Sequence, residues 1–183
     1  MAPAGPAAMP AETAAAPWPA QILDACRQEG SAQPGLVCGL YAAGVLAVQV
    51  VQQPANDPAY IAAQLGTATQ FHRADLYSAV GLLAHNTLSG RDFFKLLPGQ
   101  KLTLLYADGH VARFHVSQIG DYQRLQLANL RSDFISLATN QRVTADQVFA
   151  QYYEQPHRLT LQTCIQRGDV ADWGVHFVVA DPD

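Results

Sequence analysis

The stretch Lys101-Leu-Thr-Leu-Leu-Tyr-Ala-Asp-Gly-His-Val-Ala-Arg-Phe-His-Val-Ser-Gln-Ile119 reads as two runs of alternating residues around Ala107-Asp-Gly-His110. Asp-Gly tolerates the positive φ that a tight turn demands, so the spacing predicts a β-hairpin with strands at 101–106 and 111–119. Working outward, the valine-rich run 37–51 predicts one or two strands, closed by the turn Gln53-Pro-Ala-Asn-Asp-Pro58. Ala79–Ala84 is a short continuous apolar strand, and Tyr122–Leu130 holds room for another. Near the end, Arg158–Ile165 and Gly174–Ala180 return to strand, separated by the polar loop 166–172. Short helices are expected at 20–29, at 59–70 through the spacing of Ile61, Leu65 and Ala68, and at 91–97 before Pro98-Gly99. A further helix opens at Thr144-Ala-Asp-Gln147, where threonine followed three later by glutamine fits a capping box. Many short strands, few helices, no internal repeat and no alternating βα units predict a mainly β domain, closed or nearly closed to protect its edges.

The chain has 183 residues, room for one domain, with 49% apolar and 14% charged types, enough apolar mass for a sizeable core. Eleven bases stand against fifteen acids, a net charge of −4, which argues against a general nucleic-acid binder. No apolar run approaches the roughly 20 residues of a spanning helix. Fourteen of the first 20 residues are alanine or proline, and five prolines interrupt any helix there. Residues 1–20 therefore read as an extended linker or stalk, with residues 21–183 as the single domain. No lysine or arginine precedes Arg27, so no signal peptide is recognisable, and the stalk suggests an upstream anchor. Cys26, Cys38 and Cys164 lack C-x-x-C spacing. In an oxidising compartment Cys26 and Cys38 pair and leave Cys164 free; otherwise all three are inert buried thiols.

Cys164 ends the run Leu159-Thr-Leu-Gln-Thr-Cys. Strand alternation puts Leu159, Leu161 and Thr163 on one face and Thr160, Gln162 and Cys164 on the other, so the thiol shares a side with polar residues. A thiol with an ordinary pKa of about 8.5 needs a cationic or proton-accepting neighbour to act as a nucleophile. His85 follows the strand 79–84 directly, at the mouth of a loop with Asn86, and is placed to point across a barrel rim. His110 sits in the hairpin turn, while His72, His115 and His157 have no pattern around them and read as surface or satisfied positions. No H-x-x-x-H or H-x-H pair supports a metal site.

Thr160-Leu-Gln-Thr-Cys164 resembles the T-L-x-T-C motif around the catalytic cysteine of sortases, the cysteine transpeptidases that attach proteins to bacterial cell surfaces. Gly81-Leu-Leu-Ala-His85-Asn86 is similar to the strand and histidine of the family's histidine motif, Phe93–Gly99 to the helix and turn that follow, and Leu102–Val116 to the next hairpin. Trp173–Ala180 looks like the last strand, so the resemblance spans roughly residues 40–181. It implies a closed β-barrel of about eight strands with a few short helices and a groove leading to the cysteine. It also implies that Cys164 attacks a Thr-Gly-like bond of an LPxTG-like sorting signal, that His85 protonates the leaving amine, and that an amine resolves the thioacyl enzyme. Thr163 and Asn86 would border that groove. A tethered enzyme on the extracellular face of the bacterial membrane is the setting implied, with no nucleic acid and no cofactor; Asp169 and Asp172 read as solvated turn residues rather than as a calcium cluster.

One element departs from the family. Sortases place an arginine on the strand after the cysteine, where this chain has Trp173-Gly-Val-His-Phe-Val-Val-Ala180. Either Val175 or His176 occupies the position, depending on a one-residue choice of register. His176 would supply a cation without the bidentate fork, and with Val175 there the nearest substitute is Arg167. The departure leaves an alternative open, a catalytically impaired sortase-fold module that binds a peptide without turnover, and a weaker one, a thiol peptidase that hydrolyses.

Overall fold

The computed structural model describes residues 18–30, 35–127, 129 and 131–183. The stalk expectation therefore falls mostly on residues outside this set; of its last residues, Trp18 packs its ring 5.7 Å from that of Tyr41.

The 101–119 hairpin forms as its sequence predicts. Strands β5 (Lys101–Tyr106) and β6 (Val111–Arg124) pair antiparallel through a turn where Gly109 takes φ +89°. β6 is longer than expected: its end, Tyr122–Arg124, takes up the start of the stretch read as a separate strand. The valine-rich run splits into β1 (Val37–Ala42) and β2 (Leu46–Gln52), folded back at Gly44. Next come β3 (Thr67–Gln70), helix α2 (His72–Asp75), β4 (Val80–Leu83) and a 3-10 helix (Ser89–Lys95). Beyond β6 follow β7 (Phe134–Ser136), β8 (Arg142–Val143) and helix α3 (Ala145–Tyr153). The long strands β9 (Leu159–Arg167) and β10 (Val170–Pro182) complete the chain. An N-terminal helix, α1 (Ala20–Gly30), precedes them all.

The helix expected at 59–70 is absent. Thr67–Gln70 is strand β3, paired parallel to β2, and Gly66 at φ +78° turns the chain into it. The apolar spacing that suggested a helix is incidental, because Leu65 is 68% exposed while Ala62 and Ala68 are buried in separate contexts.

Eight strands close into a barrel, in the order β1-β2-β3-β4-β9-β10-β6-β5 and back to β1, because β10 pairs with both β9 and β6. The short strands β7 and β8 continue outward from the end of β6. Closure leaves no free edge among the eight, which is how an all-β domain avoids edge pairing. Leu40, Leu82, Leu102, Leu104, Leu159 and Leu161 fill the interior, all fully enclosed.

A second apolar cluster lies on the outer face, where α3 packs on β10 and β6. Tyr152 stacks on Phe177 with centroids 4.0 Å apart, and its hydroxyl meets that of Tyr122 at 3.0 Å. Each such ring pair is worth about 0.5–1.5 kcal/mol beyond its buried area. The capping box starts α3: Thr144 Oγ1 accepts from the Gln147 backbone N–H, and the Gln147 side chain accepts from the Thr144 N–H. At the other end Thr160 Oγ1 donates to the Tyr152 carbonyl at 2.6 Å, pinning the helix to β9. A disulfide joins Cys26 of α1 to Cys38 of β1, with Cα atoms 5.3 Å apart, and Ile22 and Leu105 pack around it.

Candidate active site

Cys164 is the free cysteine among the described residues, and it is half-buried. Leu159 and Leu161 point into the barrel, so alternation sends Gln162 and Cys164 to its outer face. Cys164 stands opposite Val175 on β10, and Val175 stands opposite Tyr122 on β6. Residues opposed across strands share a face, so these three lie abreast.

On the other side β9 runs parallel to β4, with Leu83 beside Gln162. The pairing continues one residue further: the Ala84 N–H donates to the Gln162 carbonyl at 3.1 Å. Carried one more step past the end of β4, the same register turns His85 toward the face that Cys164 occupies. Two N–H groups, from Leu88 and Gly90, hold the His85 carbonyl at 2.9 and 3.0 Å. The His85 Nε2 lies 3.3 Å from the Ile61 carbonyl, which fixes the ring's orientation. Asn86 Nδ2 donates to the Ala171 carbonyl at 3.3 Å and so ties the histidine loop to the start of β10.

The charge facing the sulfur is Arg124. It sits at the end of β6, two residues beyond Tyr122 and on the same face. Burial pushes the Cys164 thiol above its ordinary pKa; the Arg124 guanidinium opposes this by charge and hydrogen bonding, and the Asp172 carboxylate reinforces it. Arg124 is loosely held elsewhere: Nη1 reaches the Asn129 carbonyl at 3.4 Å, the guanidinium lies 5.7 Å from the Phe134 ring centre, and the enclosed Nε has no partner among the described residues. A cation held this way keeps donors available for a negative charge developing at the thiol.

The register answers the question left open by the missing arginine. Val175, 1% exposed, is the residue opposite Cys164 and brings no charge. His176 faces the other way. It lies opposite Thr163 and Asp121, its Nδ1 is 2.6 Å from Asp121 Oδ1, and its ring stacks 4.3 Å from Phe94 of the 3-10 helix. His176 therefore cannot stand in for the arginine, because strand alternation turns it into the barrel. The same reason removes Thr163 from the groove: it is 2% exposed and its hydroxyl donates inward to the Ala84 carbonyl at 2.8 Å. Arg167 is drawn aside onto Trp173, 4.8 Å from the ring centre.

Sequence reasoning missed Arg124 because it looked for the cation on the strand after the cysteine. The available signal was Tyr122-Gln-Arg124 in a strand-like stretch. Only the pairing of β6 with β10, a closure contact between distant segments, brings it to the sulfur.

By strand alternation Leu83, His85, Gln162 and Cys164 turn toward the outer face of the sheet. One wall is the segment around Ile61, anchored where the Ala62 N–H donates to Thr69 Oγ1 at 2.8 Å. The end wall is Tyr153 of α3, whose ring rests on Gly81 so closely that a Cβ there would come within 2.8 Å of it. A separate cleft of about 550 Å³ lies farther along the outer face, between β6, the β7–β8 turn and α3, and neither Cys164 nor His85 lines it. Among the described residues no cluster of three or more histidines, cysteines or carboxylates could hold a metal ion, and no helix is long and apolar enough to cross a membrane.

No family model matches the chain, and no curated protein matches it in sequence. Solved structures do match in fold. The pilus-related sortase C of Group B Streptococcus is 12% identical, with a TM-score of 0.50 over 80% of this chain and 66% of that one. A lid mutant of Streptococcus agalactiae sortase C1 is 12% identical, with a TM-score of 0.50 over 90% of this chain and 86% of that one. The chain has the sortase fold, a closed eight-stranded barrel with few short helices.

Proposed function

We propose that the chain is a sortase-type cysteine transpeptidase that cleaves a Thr-Gly-like bond of an LPxTG-like sorting signal and transfers the acyl part to an amine. What supports this reading is the strand register: it turns Cys164 on β9 and, just past β4, His85 toward one face of the barrel, where the Arg124 guanidinium from β6 meets the thiol.

Burial holds Cys164 as a thiol at rest, so the imidazole of His85 must take its proton as the sulfur attacks the scissile carbonyl carbon. Negative charge then develops on the carbonyl oxygen, where the Arg124 guanidinium stabilises it. The tetrahedral centre collapses as the C–N bond breaks, and His85 returns the proton to the departing amine. A thioester on Cys164 remains. An incoming amine attacks it, loses a proton to His85 and displaces the sulfur, which regains that proton. A tethered enzyme at the outer bacterial surface, acting on cell-wall or pilin amines, is the setting that goes with this chemistry.

Intact-mass analysis after incubation with sorting-signal peptides tests the reading. The acyl fragment is expected on wild type and absent from Cys164→Ala and His85→Ala, with triglycine converting it to a transfer product. Absence of the adduct with every peptide tried would reject the enzyme. A second reading, a module that holds a peptide without turnover, is favoured by the uncharged Val175 that stands opposite Cys164 on the following strand. It predicts calorimetric affinity that survives Cys164→Ala and no product from wild type.

A further inference from the structure

Gln162 is a polar residue on the groove floor, two positions before Cys164 on the same strand face. Its Oε1 accepts from the Tyr153 hydroxyl at 2.5 Å. That length belongs to an O–H···O contact, so the oxygen, not the nitrogen, faces the tyrosine. Tyr153 is itself 3% exposed and fixed over Gly81, so the amide is locked in one orientation. Its Nε2 donates to nothing among the described residues and is not enclosed. The floor therefore presents one oriented, neutral donor near the thiol.

The spacing selects what this donor meets. Two residues along a strand span about 6.8 Å, and in an extended peptide the carbonyls two residues apart point the same way at the same interval. We infer that the Gln162 amide binds the backbone carbonyl two residues before the one that Cys164 attacks. The inference rests on the reading of Cys164 as acyl acceptor and adds to it a backbone-recognition residue. The same geometry limits the substrate. Beyond Gln162 the floor ends, since Thr160 is 1% exposed beneath α3 and Tyr153 covers Gly81, so the peptide leaves the sheet just past the contacted carbonyl.

The test uses the chloromethyl ketone of Leu-Pro-Ala-Thr, which alkylates Cys164, beside iodoacetamide, which needs no groove. The half-saturating concentration of the peptide reagent is expected to rise about 5-fold in Gln162→Leu, the size of one neutral hydrogen bond. Gln162→Glu, close to isosteric but lacking the donor, should show at least the same rise, and Tyr153→Phe a smaller one. In Gln162→Leu the iodoacetamide rate should stay within about 2-fold, because no charge near the thiol changes. A peptide reagent with the proline carbonyl reduced to methylene should weaken on wild type by the same factor and be indifferent to Gln162→Leu. Saturation in wild type with no rise in either Gln162 variant, or with no loss for the reduced reagent, overturns the inference alone. A wild type that never saturates with the peptide reagent refutes the peptide groove itself and the inference with it.

Discussion

Replacing Arg124 by methionine removes the charge facing Cys164 and keeps a flexible stem against Phe134. Two effects follow, and they differ in size. Arg124 lowers the Cys164 pKa against burial and Asp172, so the thiol rises further above its ordinary range once the guanidinium is gone. Each unit of rise is worth about 1.4 kcal/mol and cuts the thiolate near neutral pH about tenfold. Loss of a preorganised oxyanion donor costs about 10²–10³ in rate, or roughly 3–4 kcal/mol. Acyl-enzyme formation in Arg124→Met should therefore fall at least about 10²-fold, while alkylation by iodoacetamide falls only about tenfold per unit of pKa rise. Time courses of both reactions by intact mass, followed across pH, separate the two. The sign of the pH profile is fixed: a raised pKa favours the neutral thiol, so alkylation climbs through a midpoint above that of an ordinary thiol in wild type. The midpoint moves higher in Arg124→Met and lower in Asp172→Asn, where the carboxylate that raises it is lost. Acyl-enzyme formation in Arg124→Met within about 3-fold of wild type, or a larger loss in Arg167→Met, would refute the assignment of the cation to β6.

The Cys26–Cys38 disulfide closes a short loop between α1 and β1, and the paired substitution Cys26→Ser, Cys38→Ser should cost about 3 kcal/mol of stability. That is roughly 6–12 °C in Tm for a domain of this size, read by calorimetry; a change of a degree or less would contradict it. His176→Gln breaks the part-buried contact with Asp121 and should lower stability by about 1 kcal/mol while leaving the Cys164 alkylation midpoint unmoved. A shifted midpoint would put His176 at the sulfur after all.

Local signals were read well where the physics is local. The Asp108-Gly109 turn, the Thr144–Gln147 capping box and the outward face of Cys164 each follow from a few neighbouring residues. The helix expected at 59–70 failed because three apolar residues at helical spacing also occur in a loop followed by a strand, and a parallel partner, β2, decided the matter. The short strands β7 and β8 escaped notice for a similar reason, since two or three residues carry no periodicity. Arg124 was invisible for a deeper one. Nothing within its own segment announces a partner 40 positions later; the barrel must close before the guanidinium and the sulfur share a face.

Drawing the cation from β6 separates two things that a hairpin would inherit together. When nucleophile and cation flank one turn, a single exchanged segment carries both. Here the β9–β10 hairpin can be shuffled, duplicated or grafted without its counter-charge, and β6 can change without touching the cysteine motif. A pattern search that demands an arginine downstream of the cysteine passes over any chain wired this way.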